Sequence, residues 1–309
     1  MTPSIGAIVG PTASGKTELA LAIGQRLPVE IVVADSRQVY RGMDIGTAKP
    51  AAAARRAVPH HLLDLVDPDQ PFTLADWLAR ARVAVNEVWA GGRLPLLVGG
   101  TGLYVSALLD GYELGSAPPS PELRGRLAAE LEAGGLAPLA ARLTALDPDG
   151  AARTDLRNPR RVLRALERAI GSGAAAAPAT AQSWGGRVMV IGIHRPMAVL
   201  DARIRARAAW MFAHGLLTEV GELRDRGFGE DLSPMTGHGY REAHQVLAGE
   251  LSRERAIEVT ALHTRQYAKR QMTWLRRDTR IAWLEAGERS TAELAPEAAE
   301  QLGHLLENG

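Results

Sequence analysis

Short apolar runs alternate with longer stretches whose apolar positions recur every three or four residues, and this alternation organises the first hundred residues. Ile5–Val9, Glu30–Ala34 and Leu94–Val98 are rich in β-branched and aliphatic residues, the pattern of strands buried on both faces. Between them, Lys16 to Leu27, stopping before Pro28, and Thr73 to Ala90 read as helices. Thr73 is placed as an N-cap, with Asp76 three residues on as its capping-box partner. Strand and helix in this order predict a doubly wound parallel sheet.

After Leu114 the pattern changes. A stretch from Gly115 to Pro121 reads as a linker, and the segments that follow, Pro121–Ala133, Ala137–Leu146 and Asn158–Ile170, have helical periodicity. A second soft stretch, Gly171 to Gly186, is rich in alanine and glycine. Arg187–His194 returns to strand character and is expected to rejoin the sheet. From Met197 the chain is helical again, over Ala198–Ala213, Thr218–Arg226, Gly239–Ala248 and Ser252 to Arg276. The expected organisation is an α/β core built from residues 1–115 and 187–309, carrying an all-helical insertion at 116–186.

Composition narrows the class. With 309 residues, 46% hydrophobic and 23% charged, the chain can bury a substantial core. It has no cysteine, which excludes disulfides and thiolate metal sites. Apolar runs are too short to span a bilayer, so a cytoplasmic protein is expected, with a monomer as the simplest state. The formal net charge is only +1, yet almost all positive charge is arginine, the lysines being Lys16, Lys49 and Lys269. Arginine's planar fork suits phosphate and stacks on bases, although base composition of the gene gives the same bias.

The chemistry starts where the first strand ends. Gly10-Pro11-Thr12-Ala13-Ser14-Gly15-Lys16-Thr17 has the G-x-x-x-x-G-K-[ST] spacing of a phosphate-cradling loop, in the strand–loop–helix context that the motif requires. Glycines let the backbone wrap an anion, the helix N-terminus offers free N–H groups, and Lys16 supplies charge. The Thr17 hydroxyl is placed for a magnesium ion. Asp35 follows the second strand and can hold the metal or act as a general base. Thr101, in the turn Gly99-Gly100-Thr101-Gly102, can donate to a ligand. Ligands of such sheets sit beyond the carboxyl ends of the strands, so these three groups would meet in one crevice if their strands are neighbours.

Two basic helical regions point to a polyanion. Around Asn158–Ile170, Arg157, Arg161, Arg164 and Arg168 recur on one face, with Arg160 nearby and Glu167 as the only acid. This is either a solvated face or an anion- or RNA-binding one. In the run from His263 to Arg277, Arg265, Lys269 and Arg276 share a face, and Tyr267 and Trp274 share another, as core anchors or as functional aromatics. Arg203, Arg205 and Arg207 alternate along one helix, so that at most one or two reach the crevice. His60-His61 lacks further ligands at metal spacing.

The phosphate loop, the stretch Asp35-Ser36-Arg37-Gln38-Val39-Tyr40-Arg41-Gly42-Met43-Asp44-Ile45-Gly46-Thr47-Ala48-Lys49-Pro50, and further matches at Pro59–Asp64, Val98–Tyr104, Asn158–Glu167 and Tyr267–Arg276 resemble the bacterial tRNA dimethylallyltransferases. The resemblance implies a P-loop NTPase-like parallel sheet core with an inserted all-helical domain and a helical C-terminal region. It implies transfer of a dimethylallyl group from dimethylallyl diphosphate to N6 of adenosine 37 in tRNA, with diphosphate released. Residues Gly10 to Thr17, with Arg207, would hold the diphosphate, and Mg2+ would sit on Thr17. Asp35 would accept the N6 proton, with Lys16 and Thr101 completing the catalytic set. Ser36, Arg37 and Gln38 would read the flipped adenine. Leu123, Arg160, Arg161, Val162, Leu163 and Arg164 would grip the anticodon stem-loop, and Arg265 and Lys269 other parts of the tRNA. The family often has an acid where this chain reads Ala208-Ala209-Trp210, and an aliphatic residue at His238. The rival reading from the loop alone is an ATP-dependent small-molecule or nucleoside kinase.

Overall fold

The computed structural model describes residues 2–112, 120–171 and 183–307. It divides into two compact units, residues 1–111 with 183–309, and residues 112–182. Most of the expected linker at 115–121 and most of the soft stretch at 171–186 lie outside the described residues.

In the first unit, β1 (Ile5–Val9) leads through the phosphate loop into α1 (Lys16–Gly24), followed by β2 (Val29–Ala34), α2 (Ala52–Ala57) and the two-residue β3 (His60–His61). Next come α3 (Leu74–Ala90), β4 (Leu94–Gly99) and α4 (Gly102–Leu109). The capping box expected at Thr73 forms in both directions, with Asp76 N–H donating to Thr73 and Thr73 N–H to Asp76. The second unit holds α5 (Pro121–Gly134), α6 (Leu136–Leu146), α7 (Pro148–Ala152) and α8 (Pro159–Gly171). The chain then returns to the first unit with β5 (Val188–His194), α9 (Met197–Ala213), α10 (Leu216–Asp225), a 3₁₀ turn at Ser233–Thr236, α11 (Tyr240–Leu247) and α12 (Arg253–Leu275). Two elements absent from the sequence reading close it, β6 (Ile281–Glu285) and α13 (Thr291–Gly303).

The six strands form one sheet in the order β3-β2-β4-β1-β5-β6, every pairing parallel. One face is covered by α1 and α13, whose Leu19, Ile23, Leu294 and Leu302 pack on Ile8, Ile31, Leu96 and Ile191. The residues that alternate with these, Ala7, Val32 and Leu97, are buried as well. A parallel sheet covered on both faces explains why its strands read as unbroken apolar runs. Because β1 lies between β4 and β5, and β4 pairs β2, the loops after β1, β2 and β4 emerge side by side.

The helical unit has its own core of Leu123, Leu127, Leu139, Leu143, Val162 and Leu166. Val162, Ala165 and Leu166 on the inner face of α8 leave Arg160, Arg161, Arg164 and Arg168 on its exposed face, which is the amphipathic division the sequence pattern requires. Among the described residues, no helix is long and apolar enough to cross a membrane.

Candidate active site

The phosphate loop is held open by its own backbone. Gly15 caps α1 at φ 99°, a left-handed conformation that glycine adopts without strain, and Ala13 follows the same turn at φ 62°. The side chain of Lys16 bends back to donate to the Pro11 carbonyl at 2.7 Å. Burial pulls the Lys16 ammonium down to about 8, an effect that Asp35 opposes and Arg207 reinforces. Ser14 is fully buried, and its hydroxyl has no hydrogen-bond partner among the described residues.

Three arginines brace this loop. Arg195 is buried and donates to the Ser14 carbonyl at 2.9 Å, and to the carbonyls of Gly287 and Arg289. On α9, Arg203 donates to the Ala13 carbonyl at 2.8 Å and Arg207 to the Thr12 hydroxyl at 3.3 Å. Arg205, between them, turns away to Asp201. Two of the three alternating arginines therefore reach the crevice, because residues four apart share a helix face. Burial lowers the pKa of Arg207, and the charges of Asp35 and Glu18 work against that shift.

The second and third strand ends lie beside the first. Thr101 N–H donates to the Ala34 carbonyl at 3.3 Å, and Ser36 N–H donates to the Thr101 hydroxyl at 3.2 Å. Asp35 accepts from the Arg37 backbone N–H at 2.8 Å, and its charge is felt by Lys16, Arg207 and Tyr267 alike. Arg37 and Gln38 point into the protein: the Arg37 guanidinium donates to the carbonyls of Ser233 and Pro234, and the Gln38 amide to the Thr47 carbonyl at 3.1 Å.

One side of the crevice is built by α12. Gln271 accepts from Thr12 N–H and donates to the Gly100 carbonyl, both at 2.8 Å, pinning the phosphate loop to the glycine turn. Trp274 sits so close to Gly102 that a Cβ there would fall 2.3 Å from its ring, so any larger residue would have to displace the indole. Tyr267 bonds the Thr101 side chain, and burial followed by the Asp35 charge raises its pKa. The ring of Tyr267 lies 5.7 Å from His238, which is 5.9 Å from His263; His263 in turn bonds the buried Glu242 at 2.8 Å. Gln271 and Arg195 carry no motif, and only their residues' far-apart partners reveal them.

A second loop, Gly42–Pro50, is fastened rather than open. Glu219 accepts from the N–H groups of Asp44, Ile45 and Gly46 and from the Tyr240 hydroxyl. Lys49 is buried and bridges Asp44 at 2.7 Å and Asp64 at 2.6 Å.

The remaining expected contact residues are spread over both units. In the helical unit, Leu123 and Val162 have their side chains in the core, and Leu163 packs against it. Arg160, Arg161 and Arg164 are exposed, and the buried Glu167 pairs with both Arg164 at 3.1 Å and Arg124 at 3.0 Å. Arg265 on α12 faces Asp201 at 3.4 Å, and Lys269 is exposed.

Comparison with known proteins identifies the relatives of this arrangement. The IPP transferase family matches residues 38–278, and the isopentenyl transferase family residues 3–61. The chain belongs to the IPP transferase family. It is 45% identical over 287 residues to a tRNA dimethylallyltransferase of Roseiflexus sp. (strain RS-1), covering 93% of this chain and 94% of that one. It is 44% identical to the enzyme of the same name from Salinispora arenicola over 92% of this chain and 82% of that one. Among solved structures it is similar to a tRNA isopentenylpyrophosphate transferase from Bacillus halodurans, with TM-score 0.73, 37% identity, and coverage of 99% of this chain and 97% of that one. A eukaryotic dimethylallyltransferase acting on tRNA shares the fold, with TM-score 0.81 and 22% identity over 100% of this chain and 85% of that one. As an IPP transferase, the chain is a transferase with a P-loop NTPase-like core, and the kinase reading of the phosphate loop gives way.

Proposed function

We propose that this transferase moves a dimethylallyl group from dimethylallyl diphosphate to N6 of adenosine 37 in tRNA and releases diphosphate. The observation that carries the reading is the meeting of three strand ends: a loop for phosphates after β1, the Asp35 carboxylate after β2, and the Thr101 hydroxyl after β4. Here a carboxylate faces the phosphate loop, suited to deprotonating an amine while diphosphate departs.

In the proposed reaction, adenine N6 bonds to the allylic carbon, the carbon–oxygen bond to diphosphate breaks, and Asp35 takes the N6 proton. Loop N–H groups, Lys16 and Arg207 would hold the charge that grows on the leaving diphosphate, which is where preorganised donors act most strongly. Thr101, fixed by Ser36 N–H and Tyr267, would orient the acceptor side. The Thr17 hydroxyl is a hard oxygen that fits magnesium, an ion that keeps several waters and takes phosphate oxygens for the rest of its shell. Bound there, the ion would neutralise diphosphate oxygens. The exposed arginines of α8 support an anticodon stem-loop as partner of the helical unit, and Lys269 would take another part of the RNA. A monomer in the cytoplasm, where tRNA is found, is the form we assign.

Incubation with unmodified tRNA and dimethylallyl diphosphate, beside arms with free AMP and with ATP, followed by mass analysis of nucleosides, tests the reading. Prenylated adenosine in tRNA alone supports it. ATP turnover without prenylation overturns it.

A further inference from the structure

The face of α9 that braces the phosphate loop continues past the loop. Arg203, Arg207, Trp210 and His214 are spaced i, i+4, i+7 and i+11, so all four lie along one stripe, with Trp210 about 4.5 Å and His214 about 10 Å beyond Arg207 along the axis. The neighbouring stripe, Leu200, Ile204 and Ala208, is packed against Ala261 and Ala268 of α12 and so fixes which way the first one looks. Trp210 is nevertheless 50% exposed.

Single exposed apolar residues such as Val83 or Leu247 need no explanation. Trp210 differs because its ring is held in place. His214, which follows the last turn of α9, donates from Nδ1 to the Trp210 carbonyl at 2.8 Å. That bond lays the imidazole flat on the indole, with centroids 4.6 Å apart and planes 14° apart. One face of the indole is thus already covered by a ring, while half of the side chain stays in water. A cation shares the stripe, since Arg207 precedes Trp210 by three residues on the same helix face.

We infer that Trp210 and His214 form a preassembled stacking platform for an unpaired nucleobase of the RNA acceptor, an inference that rests on the proposed RNA substrate. Every base has a π face, and cations beside an aromatic platform accommodate its phosphate, which is how single-stranded RNA is commonly held. Because the indole is fixed before binding, little side-chain entropy is lost when a base settles on it. The base would belong to the loop around the reacting adenosine, since the same helix face touches the site of the departing diphosphate.

The test is a tryptophan-fluorescence titration of the full chain with an unmodified anticodon stem-loop, together with steady-state transfer kinetics. Trp210→Ala is expected to remove an RNA-dependent quench seen with the unaltered protein and to raise KM for RNA about 5- to 140-fold, the usual worth of one base–aromatic stack. The kcat at saturating RNA and the thermal midpoint are expected to hold, Trp210→Phe to restore most of the affinity, and His214→Ala to give an intermediate loss. Unchanged KM and quench in Trp210→Ala would overturn the platform. So would sedimentation showing that Trp210→Ala dissociates a dimer without RNA, which would give this face to a second copy. Failure of the unaltered protein to prenylate tRNA would instead strike the proposed reaction, and the RNA-dependent quench would still read the platform.

Discussion

Two loops of this chain carry dense sequence motifs, and they spend their hydrogen bonds in opposite ways. The phosphate loop is braced from outside chiefly through its carbonyls, those of Ala13 and Ser14 gripped by Arg203 and Arg195, with one N–H, that of Thr12, donating to Gln271. The Gly42–Pro50 loop is clamped through its N–H groups, three of which end on Glu219. A loop gripped mainly through its carbonyls is suited to an anion, whereas the second loop has already bound one through its N–H groups, the Glu219 carboxylate. Motif density alone does not separate the two; the direction of the donors does.

That contrast can be broken most sharply at Asp35. Asp35→Asn keeps the shape of the crevice but removes the base, and transfer is expected to slow by about 10²–10⁴ with RNA affinity retained, measured by single-turnover kinetics. Unchanged turnover would take Asp35 out of that role. Glu219→Ala strands three half-buried N–H groups and the buried Tyr240 hydroxyl and is expected to cost about 3–5 kcal/mol in denaturant unfolding. A loss below about 1 kcal/mol would mean that the second loop is not latched as described.

The phosphate loop has a pH signature of its own. Lys16 sits near 8 in the free protein, so below that pH its ammonium meets an anion ready-charged. Above it, binding must take up a proton, and diphosphate affinity is expected to fall by up to about tenfold per pH unit. Calorimetric titration between pH 7 and about 10 would show the slope, and Lys16→Met would abolish it.

The smallest effect concerns α8. Arg164→Ala is expected to flatten the salt dependence of RNA binding by up to about 0.7–0.9 in log–log slope per lost phosphate contact. An unchanged slope would leave Arg164 as a partner of Glu167 only.

Much of this was legible in sequence because period and position coincide. Buried parallel strands read as apolar runs, and the phosphate loop, Asp35 and Thr101 each follow one. β6 was not legible: in Ile281–Glu285 only Ile281 and Leu284 are buried, the short mixed pattern of an edge strand. In α13, Pro296 lies inside the helix, where sequence rules read a stop. Gln271 and Arg195 look like surface residues until the chain brings them to carbonyls and N–H groups far away in sequence. Leu123 and Val162 were expected at the RNA from the resemblance, yet both side chains lie in the core of the helical unit, on the apolar stripes of their helices.

The central claim is that the phosphate loop holds a leaving group. The most direct measurement is diphosphate released per adenosine prenylated, with ATP offered in competition against dimethylallyl diphosphate. The account predicts one diphosphate for each modified adenosine and no ADP. ADP formation that tracks turnover, with no diphosphate, would contradict it.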